Sequence, residues 1–265
     1  MKNLAFLLVS LFFTSLFAVG CGNQTNDKPL KIGVTAGPHA EIMNVVKKIA
    51  ANDGVTIQVI VYNDYIKPNV ALNQGDLDMN SFQHQPYLHN VIDDRKYEFV
   101  SIAKTIVLPM GLYSKTFSNL TQVTPGSTVA IPNDPTNGGR AFLLLEKSGL
   151  ITLKPNPGLQ PSARDIADNP KNLLFTEMDI GQTPHALADT GLAVITSSYA
   201  QEVNLVPAKD ALALEDVDSP YTNIIVVRAK DKDNPVFQKV ITAYHSEEVK
   251  QFVTDSYNGS ILPAW

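Results

Sequence analysis

Apolar residues are almost unbroken from Leu4 to Gly20, behind the positive Lys2. A membrane-spanning helix needs roughly 20 apolar residues with stop-transfer flanks. This run is slightly short and passes straight into Cys21, Gly22, Asn23 and Gln24. The pattern predicts a signal peptide over residues 1–20. Asn23 to Pro29 are polar and show no apolar periodicity, so they read as a tether, and the folded body is expected to start near Leu30.

From there the hydrophobic period switches repeatedly between strand and helix. Leu30 to Val34 alternates and ends at Thr35-Ala36-Gly37-Pro38, after which Ile42, Val45, Val46 and Ile49 fall at helical spacing. Val55 to Tyr62 is a β-branched run suited to a buried parallel strand, and Pro68 to Asn73 predicts a short helix closed by Gly75. A second series starts after Ile106 to Tyr113. It comprises a strand at Thr128 to Ile131, a helix over Arg140 to Lys147 closing at Gly149, and strands at Leu173 to Glu177 and Leu192 to Thr196. Lys154 to Pro161, with three prolines, predicts a loop. Asn223 to Val227 predicts a strand, and Val236 to Tyr244 and Glu247 to Tyr257 predict helices. Strand and helix in alternation indicate an α/β layer.

Two such layers joined by two extended crossings, Lys104 to Gly111 and Asp216 to Tyr221, make a hinged cleft able to close on a small solute. The expected organisation is a signal peptide (1–20), a tether (21–29), lobe 1 (30–109 plus 219–265) and lobe 2 (110–218). The site is expected at the loops after the strands, because open α/β sheets bind ligands at their carboxyl ends.

Composition excludes several classes. The formal net charge is −5, with no basic stripe, which argues against nucleic acid. Cys21 is the only cysteine, so no intrachain disulfide can form even though the leader directs the chain to a compartment that permits them. Ala18-Val19-Gly20-Cys21 resembles the lipobox of bacterial lipoproteins, with Ala18 where leucine is usual. Acylation at Cys21 would anchor the chain to the membrane, since two or more lipid chains hold where one is marginal.

Hydrolase chemistry lacks a Gly-x-Ser-x-Gly elbow. His84 and His89, five apart, do not share a helical face as metal ligands at i, i+4 would. Gly138-Gly139-Arg140 lacks the Lys and Ser or Thr of a phosphate loop. No enzyme activity, cofactor or metal is expected.

Several stretches resemble one family, the methionine-uptake lipoproteins of the NlpA type. They are Asn63-Asp64-Tyr65 with Pro68-Asn69, Phe82-Gln83-His84-Gln85-Pro86-Tyr87, and Ile131-Pro132-Asn133-Asp134-Pro135-Thr136-Asn137 running to Arg140. Ser219-Pro220-Tyr221-Thr222-Asn223, Gly33-Val34-Thr35 with Gly37-Pro38-His39-Ala40-Glu41, and the closing Trp265 extend the match over the mature chain. The resemblance implies a two-lobe periplasmic-binding-protein-like fold and capture of methionine or a related amino acid by cleft closure. It further implies docking onto the membrane subunits of an ABC importer, from a lipid-anchored position facing the periplasm or cell exterior.

A free amino acid needs a cation or helix N-terminus for its carboxylate, oxygen acceptors for its ammonium, and a pocket for its side chain. Arg140, near the start of a helix, can meet the carboxylate together with free backbone N–H groups; an ordinary ion pair is the plainer role for an arginine. Asn223 can use either end of its amide, or simply form the turn after Ser219-Pro220. Tyr65, Phe82, His84 and Tyr87 can wrap a thioether, with Phe82 the most suited to plain core and His84 placed in a loop before Pro86. Thr196 stands where the family carries a ligand-contacting asparagine, and His185 where an arginine is usual. Threonine lacks the amide's second arm. A methionine derivative or methionine-containing dipeptide is therefore an alternative ligand, and an adhesive or structural surface lipoprotein an alternative class.

Overall fold

A computed structural model describes residues 28–216 and 219–265. The expected signal peptide, the lipidation site Cys21 and tether residues 21–27 lie outside them. So do Val217 and Asp218 of the expected second crossing.

The chain opens as β1 (Leu30–Thr35), α1 (Pro38–Asn52), β2 (Ile57–Tyr62), α2 (Lys67–Gln74), β3 (Met79–His84), α3 (Gln85–Arg95) and β4 (Phe99–Lys104). It then crosses through β5 (Ile106–Val107) into β6 (Met110–Tyr113), β7 (Thr128–Pro132), α4 (Pro135–Lys147), β8 (Thr152–Leu153), β9 (Ile166–Asp168) and β10 (Leu174–Met178). α5 (Thr183–Ala186), β11 (Leu192–Thr196), α6 (Ser197–Glu202), α7 (Pro207–Asp210) and β12 (Ala213–Leu214) complete that half. The chain returns as β13 (Asn223–Arg228), α8 (Pro235–Tyr244), α9 (Glu247–Tyr257) and β14 (Leu262–Pro263).

Two five-stranded sheets result, ordered β2-β1-β3-β13-β4 and β10-β7-β11-β6-β12. β13, made after the second half, runs antiparallel between β3 and β4. The protein is thus a two-lobe α/β fold with a cleft between the lobes, which the chain crosses twice.

The amphipathic helices form where their period places them. Ile42, Met43, Val46 and Ala50 of α1 are buried against Phe237, Val240 and Tyr244 of α8 and Val249 and Val253 of α9. Full burial of each Ile, Met or Val side chain here is worth roughly 1.5–3 kcal/mol. The second lobe has its own core around Leu112, Val129, Ile131, Phe142, Leu145 and Val194. Gly75 and Gly149, both at left-handed φ, follow α2 and α4 as expected.

The structure departs from the sequence pattern between Asp76 and Lys104, where β3, α3 and β4 were not expected. β3 is buried along its whole length yet reads Met-Asn-Ser-Phe-Gln-His, so no apolar alternation announces it. Its amides are satisfied internally instead. Asn69 Nδ2 donates to Gln83 Oε1 (2.9 Å), Gln83 Nε2 donates back to Asn69 Oδ1 (2.8 Å) and to Asn80 Oδ1 (3.0 Å), and Asn80 Nδ2 donates to Asn69 Oδ1 (2.9 Å). This closed amide cluster clips α2 to β3, as buried polar groups require.

The first crossing is braced by the C-terminus. β14 pairs with β5, Ala264 N–H donates to Thr105 O, and Trp265 stacks on His245 at 5.2 Å while its indole N–H donates to His245 O at 3.1 Å. Among the described residues no helix is long and apolar enough to cross a membrane.

Candidate functional site

Between the carboxyl ends of β1 and β3 in one lobe and β7 and β11 in the other lies a cleft holding about 520 Å³ of unfilled space, part of it open to solvent. Tyr65, Phe82, His84, Tyr87, Arg140, Thr196 and Asn223 all border it.

The aromatic wall comes from the first lobe. Tyr65 is the central residue of an Asx turn in which Asp64 Oδ1 accepts the N–H groups of Ile66 (2.9 Å) and Lys67 (2.7 Å). Tyr87 meets Tyr65, Phe82 and His84 edge-on at 5.5, 6.5 and 6.2 Å, and its hydroxyl donates to Tyr65 O at 3.3 Å. The pairing of β13 with β3 jumps from Ile224↔Gln83 to Ile225↔Ser81, so Phe82 is the extra residue of a bulge. Bulges re-aim side chains. With Phe82 as the extra residue, Asn80 and Gln83 come to one side of the strand, where their amides meet, while Phe82 and His84 border the cleft.

His84 is not in a loop, as its place before Pro86 suggested. It ends β3 and caps α3, its Nδ1 accepting the Tyr87 N–H at 3.1 Å. Its Nε2 therefore carries the hydrogen and donates across the cleft to Asn137 Oδ1 of α4 at 3.0 Å. The Asn137 amide is oriented by Asp134, whose carboxylate accepts from Nδ2 at 3.0 and 3.2 Å. Burial, reinforced by the Arg140 cation, pushes the His84 pKa down to about 3. Neutral His84 is thus an inter-lobe tie of fixed polarity.

His39, in the first turn of α1, sits 3.1 Å by Nε2 from the Asn223 amide nitrogen. Burial alone lowers its pKa to about 4. Its Nδ1 has no partner among the described residues. Burial, then the Asp134 charge, raises the Tyr65 and Tyr87 pKa values, so both hydroxyls stay protonated as donors.

Arg140 lies in the second turn of α4, within the first turns of a helix that begins at Pro135 as expected, and two features bear on its role. First, the helix N-terminus is already capped by Asp134, which accepts the Asn137 N–H at 2.9 Å. Free backbone N–H groups therefore do not converge with the guanidinium. Second, the guanidinium is buried and already faces a protein carboxylate, Glu215. Gly139 explains the glycine pair before it: an added Cβ would lie 2.5 Å from Gln160 Cα and 2.8 Å from Leu159 O. The glycine admits the proline-rich loop, a packing role rather than phosphate binding.

Thr196 ends β11 with its hydroxyl 3.3 Å from Ser198 Oγ. His185 is exposed on α5 and His89 is exposed on α3, bonded to Gln85; neither borders the cleft. His39, Asn137, Ser198 and Tyr199 do, and were not singled out as site residues from sequence. Tyr221 and Glu215 stand just behind it, one stacked on Arg140 and the other paired with it. His39, Asn137 and Tyr221 sit inside recognisable motifs, but Glu215 carries no sequence signal.

A family model described as NlpA lipoprotein matches residues 30–265. A D-methionine-binding lipoprotein, MetQ, of Salmonella typhimurium is 44% identical over 268 residues, spanning 100% of this chain and 99% of that protein. Its Escherichia coli K12 namesake is 42% identical over the same coverage. Among solved structures, a nutrient-binding protein from Burkholderia cenocepacia bound to methionine superimposes with a TM-score of 0.87 at 47% identity, covering 89% of this chain and 100% of that one.

Proposed function

The chain belongs to the NlpA lipoprotein family, and on that premise we propose that it is the solute-binding component of an ABC importer, closing two lobes on methionine. The observation that carries this reading is an inter-lobe cleft bordered by one cationic side chain, Arg140, and by the aromatic group of Tyr65, Phe82 and Tyr87. In this reading the ligand carboxylate meets Arg140. The ammonium meets the neutral oxygens of Asn223 and Thr196. The thioether packs on the aromatic edges, a favourable sulfur contact. His84 and Asn137 latch the closed form. Residues 30–109 with 219–265 move against residues 110–218, and Cys21 carries the lipid that holds the protein at the membrane beside its importer. The cleft binds and releases without chemistry.

A second reading is favoured by one observation. A second recess, bordered by Asn63, Ser198, Tyr199 and Glu202 and partly open to solvent, shares Thr35, Ser198 and Tyr199 with the cleft. With Thr196 at the cleft side of this boundary, a methionine derivative or dipeptide reaching past Ser198 and Tyr199 is the alternative ligand.

The test is a thermal-melt screen of soluble protein lacking the leader, unfolded and refolded to strip any copurified ligand. L- and D-methionine, other amino acids and methionine dipeptides are compared. A ligand at 100 times its Kd should add about 2.7 kcal/mol to stability. Arg140→Ala should lose a charge-assisted contact of about 1.5–3 kcal/mol, read by calorimetry. No shift with any methionine-containing ligand refutes the reading.

A further inference from the structure

The Arg140 guanidinium does not enter the cleft as an isolated cation. Its Nε donates to both Glu215 oxygens, at 2.9 and 3.1 Å, and its Nη2 donates to the same carboxylate and to Leu108 O at 2.8 Å. The Tyr221 ring lies 4.5 Å from the guanidinium carbon. Glu215 is itself anchored: it accepts the Met110 N–H at 3.2 Å and the Ser219 hydroxyl at 3.3 Å. Both partners are shielded, with side-chain exposures of 3% and 14%.

Two consequences follow. Nη1 is the one guanidinium nitrogen without a protein acceptor among the described residues. In addition, the positive charge is matched one for one, and the described residues that border the cleft include no Asp, Glu or Lys. Bidentate pairing orients a guanidinium as well as neutralising it.

We propose that Glu215 is a specificity-determining positioning residue, which aims Arg140 Nη1 at the ligand carboxylate and holds the cleft near zero net charge, so that the site selects zwitterions over net anions. This rests on the amino-acid reading above and adds the charge class of ligand that the cleft takes. A carboxylate alone would be drawn to an unmatched arginine. A zwitterion would not gain equally, because its ammonium lies only two bonds from its carboxyl carbon. Glu215 levels the field at the ammonium while hydrogen bonding at Nη1 still recognises the carboxylate. Discrimination thus arises from what the neighbouring charge disfavours as much as from the contact itself.

The test compares methionine with 4-methylthiobutanoate, which has the same side chain and carboxylate but no ammonium. Affinities are measured by calorimetry on the wild type, Glu215→Gln and Glu215→Asp, with circular dichroism confirming that each is folded. The Gln variant removes the charge and keeps the shape. The preference for methionine should fall roughly tenfold or more, the deaminated acid binding better and methionine worse. A merely structural role would weaken both ligands alike, and an unchanged affinity ratio overturns the proposal. Should the Gln variant fail to fold, the Asp variant carries the test. It withdraws the charge by one methylene, so the ratio should shift in the same direction by less, and an unchanged ratio again refutes the proposal. A wild type that binds neither compound overturns the amino-acid reading itself, and this inference with it.

Discussion

Lowering the pH from 7 to 5 should weaken the fold through two histidines that the cleft buries in neutral form. His84 and His39 have pKa values pushed down to about 3 and about 4 from an ordinary 6.5. The folded state therefore refuses a proton that the unfolded chain accepts, and stability rises with pH wherever the unfolded state binds more protons. The contribution of each is complete above 6.5. It is lost progressively as pH falls from 6.5 toward 3 for His84, and from 6.5 toward 4 for His39. Each proton so refused costs about 1.4 kcal/mol per pH unit, so at pH 5 each histidine withdraws about 2 kcal/mol and the pair about 4 kcal/mol. Protonation of His84 would set an Nδ1–H against the Tyr87 N–H and a positive ring beside the Arg140 guanidinium, with Asn137 and Tyr221 as its other neighbours and the Asp134 carboxylate one hydrogen bond further off, beyond Asn137. The assay is urea denaturation at pH 7 and pH 5 for the wild type and His84→Asn. Carboxylates titrate alike in both proteins, so the difference isolates the histidine. The wild type should lose about 4 kcal/mol and the variant about 2 kcal/mol. Equal stability of the wild type at the two pH values, or an undiminished loss in His84→Asn, would refute the reasoning.

Two further substitutions probe the scaffold behind the cleft. Gly139→Ala drives a Cβ against the loop backbone at Gln160 and Leu159, and should lower stability by about 1–3 kcal/mol in urea melts; an unchanged midpoint would mean the loop does not seat on α4 in solution. Gln83→Leu leaves Asn69 and Asn80 with unmade amide bonds, at about 1–3 kcal/mol for each buried group left unsatisfied. A neutral result by denaturation would show that water replaces the missing partner.

The helices α1, α8 and α9 and the strands β1, β7, β11 and β13 were legible, because their apolar period or β-branched run is local; β2 was legible as a parallel strand but not as the edge strand it is, with Val61 half exposed. The methionine-lipoprotein motifs likewise carried most of the residues that line the cleft. β3 was not legible, since a strand of Asn, Ser, Gln and His reads as surface until Asn69 arrives from α2 to close the amide cluster. The bulge at Phe82 is equally silent, because it is a property of the pairing with β13 and not of either strand.

The chain by itself determined most of the segments that coil or extend, β3, α3 and β4 excepted, since those choices depend on neighbours a few residues away. It also determined that one arginine and a set of aromatics would be offered to a cleft. Tertiary structure alone decided the electrostatic state of that cleft. Arg140 meets Glu215 across 75 positions and His39 meets Asn223 across 184. The charge of a buried group depends on its solvation and on whichever partner folding brings beside it, and neither is written in local sequence.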